Sequence, residues 1–356
     1  MKVLDELLLD GVQQKVFSGV TAWVGVGGYC VYEGAVGNAG GPGAPEVKPE
    51  TLFDLASLTK ILGTGLVMMR LVAAGLLKLE TPLWHILPEW RDGMDREKIS
   101  VRHLLEHSSG LPAHRAFYRD LASVPPGFRE GERLRRIRCL PLESVPGERV
   151  CYSDIAYMLL KRAAEIRGGE PFASQVMKAL PPAVRDDIFF LPARPRSGQP
   201  VSFAATGFSF DRHCFLQGEV HDENAAVMGG VDGQAGLWGT AAAVGKAGCS
   251  LLAAWQGEDV WLPPSVVQSF ICWPEEGRRP PAFDRPSGTL SACGRYFSRK
   301  TVGHLGFTGT SLWMDMEKKI VVVLLSNRVY YGNLNWKIRS FRPRFHDKVV
   351  EALGKG

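Results

Sequence analysis

At 356 residues the chain can bury a substantial core in one large domain or two ordinary ones. Hydrophobic residues make up 45% and charged residues 22%, and the net charge of +5 is the difference between 42 basic and 37 acidic residues. This mild balance excludes a nucleic-acid-binding stripe, and the densest basic run, Arg133 to Arg138, is broken by Leu134 and Ile137 and reads as a solvated helix face.

Leu4, Leu8, Val12 and Val16 recur every four residues, which predicts an amphipathic helix over 2–17. Asp5, Glu6 and Asp10 interrupt its apolar face, so it does not read as a secretory leader. No run approaches the roughly 18 apolar residues of a membrane span, and a cytoplasmic protein without membrane or nucleic-acid partners is expected. Two β-rich runs, 20–27 and 29–36, are separated by glycine and predict a hairpin. Residues 37–48 read as a loop. A helical pattern follows over 58–79 until Thr81-Pro82 ends it, with further helices near 99–107 and 154–167. The stretches 192–200 and 274–288, rich in Pro, Gly and Arg, read as loops. Runs 303–314 and 319–327 predict two strands around a turn, and a last helix ends near Leu353. Strands at both ends with helices between them suggest one sheet closed by distant segments and a helical lobe inserted within it. The cysteines (30, 139, 151, 214, 249, 272, 293) are odd in number and form no CxxC pair. That argues against a disulfide framework or a zinc cluster and favours a reducing compartment.

Ser57-Leu58-Thr59-Lys60 falls where a loop becomes a helix. At i and i+3 the two polar side chains share one face, so the lysine amine sits beside the serine hydroxyl. The helix N-terminus favours developing negative charge there. A lysine among Leu55, Leu58, Ile61 and Leu62 would lose solvation, which lowers its pKa and frees the amine to accept a proton. Four residues alone are equally an N-cap serine and a surface lysine.

The context is more specific. Phe53-Asp54-Leu55-Ala56-Ser57-Leu58-Thr59-Lys60 resembles the first motif of the superfamily of class C β-lactamases, penicillin-binding proteins and family VIII esterases. Residues 71–87 resemble that family's following helix and turn, and residues 101–112 (VRHLLEHSSGLP) its HLLTHTSGLP segment. Tyr152-Ser153-Asp154 after Pro146-Gly147 resembles its Tyr-x-Asn motif, and residues 230–240 its small-residue stretch ahead of a helix. Gly303-His304-Leu305-Gly306 with Phe307-Thr308-Gly309 resembles the third motif, Lys-Thr-Gly or a His-x-Gly variant.

The resemblance implies a β-lactamase/transpeptidase-like α/β sandwich, an antiparallel sheet flanked by helices. It divides the single catalytic domain into an α/β lobe from 1–57 and 286–356 and a mostly helical lobe from 58–285. It implies a serine acyl hydrolase without cofactor or metal, acting through a Ser57 acyl-enzyme on small esters, D-amino-acid amides or peptides, or weakly on β-lactams. Tyr152 would share the base role with Lys60, and the amides of Ser57 and Phe307 would form the oxyanion hole. Asp154, His304 and Gly306 would contact substrate. Asp154 replaces the family's usual asparagine and adds a charge that favours the ammonium form of Lys60. His304 replaces a lysine that helps hold a substrate carboxylate and tunes the tyrosine. A histidine of ordinary pKa would gain charge only below about pH 6.5, so neutral esters are expected to outperform β-lactams, with β-lactam turnover improving in acid.

Two other readings compete. His103-Leu104-Leu105-Glu106-His107 matches the H-x-x-E-H pattern of zinc peptidases, which needs a third ligand. A non-catalytic binding protein on the same fold is the other. The group His221-Asp222-Glu223-Asn224 reads first as a loop or helix cap, and a catalytic part stays open.

Overall fold

Residues from opposite ends of the chain pair in one sheet. The computed structural model describes residues 1–40, 43–91, 93–193, 202–209, 213–259, 261–288 and 291–354. Strands β1 (Gly19–Val26) and β2 (Tyr29–Gly37) form the hairpin, turned by Gly27 and Gly28 at φ of 56° and 88°. Two consecutive positive φ values are what a tight hairpin turn requires, and glycine adopts them without a Cβ penalty. Strands β3 (Thr301–Leu305), β4 (Ser311–Asp315) and β5 (Ile320–Ser326) complete the antiparallel order β2-β1-β5-β4-β3, with β1 and β5 in register from Val20 opposite Ser326 to Val26 opposite Ile320.

Both faces of the sheet are covered. Val20, Ala22 and Val24 alternate with Trp23, so β1 feeds two cores. The first core lies under α1 (Lys2–Gln13) and the C-terminal helix, where Leu4, Leu8, Phe341, Phe345 and Val349 meet Val322 and Leu324. On the other face lies the helix Ala241–Gln256, whose Val244, Ala247 and Leu251 pack with Trp23, Val323 and Leu325. Each fully buried side chain of this kind contributes about 1.5–3 kcal/mol. Helices on both faces of one antiparallel sheet make the α/β sandwich expected from the sequence.

Between β2 and β3 the chain is mainly helical. It includes α2 (Leu66–Ala73), α3 (Asp154–Gly168), α4 (the helix Ala241–Gln256) and, after the sheet, α5 (Ile338–Ala352). Some boundaries differ from the sequence reading. The first helix stops at Gln13, because Lys15 turns left-handed at φ 55° and Val16 and Phe17 leave the axis to enter the core. The helix expected over 58–79 is a one-turn 3₁₀ segment, a wide π turn over Lys60–Gly65 and then α2, ending before Gly75 at φ 70°. The strand expected over 303–314 is two strands with a turn at 306–310. The stretch Ala56–Ala73 is, contrary to expectation, apolar enough by composition to cross a membrane; 78% of it is buried, as in a core helix. Arg133 is not solvated: it is fully buried and paired with Asp232 and Glu130. All seven cysteines are unpaired. Most of the loop expected over 192–200 lies outside the described residues.

Candidate active site

The turn that carries Ser57 is held from below. Asp54 is buried, and its two carboxylate oxygens accept the Ala56 and His221 amides, each at 2.8 Å. Burial pushes the Asp54 carboxyl up in pKa, against the pull of those two N–H groups. The clamp keeps Ala56 at φ 46°, a conformation that costs a non-glycine residue about 1–2 kcal/mol. Ser57 follows in the turn Ala56–Leu58, and one turn on Lys60 reaches back beneath it. Lys60 Nζ donates to Ser57 Oγ at 2.9 Å, Asp154 Oδ1 at 2.7 Å and the Gln234 carbonyl at 3.2 Å.

Three donors meet three acceptors, which is the full capacity of an ammonium group. Burial works against the charge on Lys60, but Asp154 and Tyr152 outweigh it and hold the pKa above that of an ordinary lysine. The expected lowering is therefore reversed: a desolvated lysine loses its proton only when no carboxylate shares its pocket. Asp154, partly buried at the start of α3, would be raised by desolvation, yet the charge of Lys60 and the His114 imidazole keep it at about 2. His114 is correspondingly raised by Asp154.

Tyr152 is fixed on both sides through one histidine. The His107 carbonyl accepts the Cys151 amide at 2.8 Å, and His107 Nδ1 accepts the Ser153 amide at 2.9 Å. The His107 ring stacks on Tyr152 with centroids 4.4 Å apart, and Lys60 Nζ lies 4.9 Å from the Tyr152 ring centre. These bonds commit His107 to positioning. His103 Nδ1 either accepts the Ser100 amide or donates to the Lys98 carbonyl, according to its tautomer, and Glu106 is paired with Arg102. The H-x-x-E-H reading is thereby corrected. Among the described residues no group of three or more His, Cys, Asp or Glu could hold a metal.

The turn between β3 and β4 is stitched onto the turn that carries Ser57. Thr308 Oγ1 donates to the Asp54 carbonyl at 2.8 Å and Thr310 Oγ1 to the Leu55 carbonyl at 3.1 Å. A Cβ on Gly306 would stand 2.8 Å from the Leu55 oxygen, so only glycine lets the two turns meet. Phe307, half-exposed, thus stands beside Ser57 in a cleft of about 680 Å³ lined also by Tyr152, Asp154 and His304. Buried Arg342 donates to the Gly306 and Thr310 carbonyls, and Arg328 to that of Phe307.

The family model for Beta-lactamase matches residues 4–337. The chain belongs to the Beta-lactamase family. A D-alanyl-D-alanine carboxypeptidase-like protein of Escherichia coli (strain K12) is 29% identical over 301 residues, covering 78% of this chain and 69% of the relative. An N-acetylmuramyl-L-alanine amidase of Bacillus subtilis (strain 168) is 28% identical over 313 residues, covering 80% and 69%. A class C beta lactamase structure superposes with a TM-score of 0.74 at 16% identity, covering 98% of this chain and 97% of its own, and shows the same fold.

Against the family pattern, His304 carries no charge. Its Nδ1 lies 2.8 Å from the Leu305 carbonyl and must donate to it, which leaves Nε2 as a buried acceptor without a partner. Burial, with Lys60 and Arg279 nearby, lowers its pKa to about 3. The expected gain of charge below about pH 6.5 is corrected accordingly. Between about pH 7 and pH 5 the ratio of nitrocefin to p-nitrophenyl acetate turnover should stay flat, and His304→Lys should raise it about tenfold by restoring a charge-assisted bond. A ratio that climbs in acid in the wild type would show that His304 protonates.

His107 and His346 are also buried and held neutral, His346 at about 4 because of burial. Their unfolded counterparts take protons near pH 6.5, so the stability these neutral rings contribute is present above that pH and lost as pH falls. Urea midpoints should drop between about pH 6.5 and 4, each of the three histidines adding up to about 1.4 kcal/mol per pH unit. A flat profile would contradict their burial.

The motifs in the sequence pointed to Ser57, Lys60, Tyr152, Asp154, His304, Gly306 and Phe307, and the fold brings all seven to one cleft. Several residues were not legible. Asp54, His107 and His114 act through bonds to distant segments, Arg328 and Arg339 stand over the Trp336 ring, and Arg342 lines the same cleft. Among His221 through Asn224, Asp222 caps the short helix Glu223–Val227 and Asn224 ties the Arg115 carbonyl and Tyr118 amide, while His221, Asp222 and Glu223 line the cleft.

Proposed function

We propose that this chain is a serine acyl hydrolase that forms an ester on Ser57 and acts on small esters or D-amino-acid amides and peptides, binding or hydrolysing β-lactams weakly. The observation that carries this reading is Lys60 Nζ at 2.9 Å from Ser57 Oγ inside the cleft lined by Tyr152. Because Lys60 donates to Oγ, the serine's own proton is free to leave in another direction. In this reading Ser57 Oγ attacks the substrate carbonyl carbon as its proton passes to the Tyr152 oxygen. That proton then goes to the departing oxygen or nitrogen, the bond to the leaving group breaks, and the acyl group stays on Ser57. Water repeats the sequence and frees the acid. The amides of Ser57 and Phe307 would receive the oxyanion, and the Lys60 ammonium offsets the charge that develops beside it.

Arg339, which lines the cleft with Arg328 and Arg342, offers a substrate carboxylate a positive charge, which moderates the expected preference for neutral esters. The curated relatives named for D-alanyl peptides and muramyl amides support the amide class. A panel of p-nitrophenyl esters, D-Ala-D-Ala peptides and nitrocefin, followed by rapid-mixing kinetics and intact mass, tests it. A burst of leaving group with a matching acyl adduct is expected. Turnover of none of them, with no adduct, would favour the non-catalytic binding protein.

A further inference from the structure

With Lys60 committed to Asp154 and His304 neutral, the third motif brings no positive charge to Tyr152. The loop 274–288 brings one. Arg279 places its guanidinium 5.4 Å from the centre of the Tyr152 ring, and its side chain is only 19% exposed. Its carboxylate partner, Asp284, lines the catalytic cleft. The loop is laced to the site rather than free. Asp284 and Gly303 exchange backbone bonds at 2.7 and 2.9 Å, and the Ala282 amide reaches the Leu105 carbonyl at 3.1 Å with Ala282 at φ 69°.

We propose that Arg279 is a positioning residue for the reaction: it supplies from the loop the second positive charge against Tyr152 that the third motif lacks, with Asp284 setting how much of that charge Tyr152 feels. This rests on Tyr152 handling the Ser57 proton as read above. Every charged or titratable group facing Tyr152 enters the argument. Lys60 stands at 4.9 Å, with Asp154 behind it. The His107 ring, and the His304 ring at 5.8 Å, are neutral, and buried Tyr157 lies beyond His107. Arg279 is therefore one of two cations on Tyr152 among the described residues, and it is the one not bonded to Ser57. Its influence extends over the same cluster, where it helps hold His107 and His304 neutral.

The test is the pH profile of kcat/KM for p-nitrophenyl butyrate between about pH 5 and pH 10, whose acid limb reports the base of the free enzyme. Removing a cation about 5 Å away in Arg279→Gln should move that limb up by about one pH unit and lower kcat/KM at pH 7 about tenfold. Asp284→Asn leaves the cation without its counter-charge, so the limb should move the other way by a similar amount. Arg279→Lys, which keeps the charge, should return it towards the wild type. A role confined to holding the loop would lower activity without moving the limb. If Arg279→Gln fails to fold, Asp284→Asn still decides the sign. Limbs that do not move in an enzyme that acylates Ser57 overturn the role of Arg279 alone, whereas a wild type that does not acylate Ser57 overturns the underlying reading as well.

Discussion

Ser57→Ala should abolish acyl-enzyme formation and lower kcat/KM for p-nitrophenyl esters by at least about 10⁴-fold, because in the proposed mechanism its oxygen carries the acyl group. Removing a nucleophile in a serine hydrolase leaves only the contribution of oxyanion stabilisation and binding. A fluorophosphonate should label the wild type at Ser57 and at no other serine, read by mass spectrometry of a digest. The loss should be chemical rather than structural. Ser57 Oγ only accepts one bond from Lys60, which keeps Asp154 and the Gln234 carbonyl as partners. The urea midpoint of Ser57→Ala is therefore expected within about 1 kcal/mol of the wild type. Label on another serine, or an active Ser57→Ala, would end the assignment.

The second large effect concerns Tyr152 and Lys60 together. Each of Tyr152→Phe and Lys60→Ala should lower the acylation rate by about 10²–10⁴-fold, and the double variant should be little worse than the poorer single one. Non-additivity is expected because in the proposed mechanism the two act on one proton: Lys60 donates to Ser57 Oγ while Tyr152, 4.9 Å from Nζ at its ring centre, would take the proton that Oγ gives up. Once either is missing, the other has no complete path to serve. Single-turnover measurements separate acylation from release. Losses that multiply would place the residues in different steps. A control is needed for Lys60→Ala, since it leaves Asp154 with only the distant His114 as a charged partner. Such a broken buried pair costs about 3–5 kcal/mol, so rates must be read well below the melting range.

Asp154 is where sequence and structure most directly inform one another. The replacement of the family's asparagine was visible in the chain, and so was its bias towards a charged lysine. Only the coordinates gave the partner count that settles the ammonium form, because one of the three acceptors is a backbone carbonyl from Gln234. The carbonyl of a residue 174 positions away carries no sequence signal.

What the sequence determined by itself was whatever depends on local spacing or on residue identity within a short window. The Gly27-Gly28 hairpin, the i, i+3 placement of Ser57 and Lys60, and the three motifs in order all belong to that class. Each needs only a period, a turn preference or a recognisable string. Other features were decided by the tertiary structure. The wide turn at Lys60–Gly65, the Asp54 clamp, the commitment of His107 to the backbone around Tyr152, the neutrality of His304 and the approach of Arg279 all depend on groups far apart in the chain. Whether a histidine is a metal ligand, a charged substrate contact or a buried acceptor is set by which bonds its two nitrogens make and how much water reaches them. Packing fixes both, and no local pattern of residues encodes either.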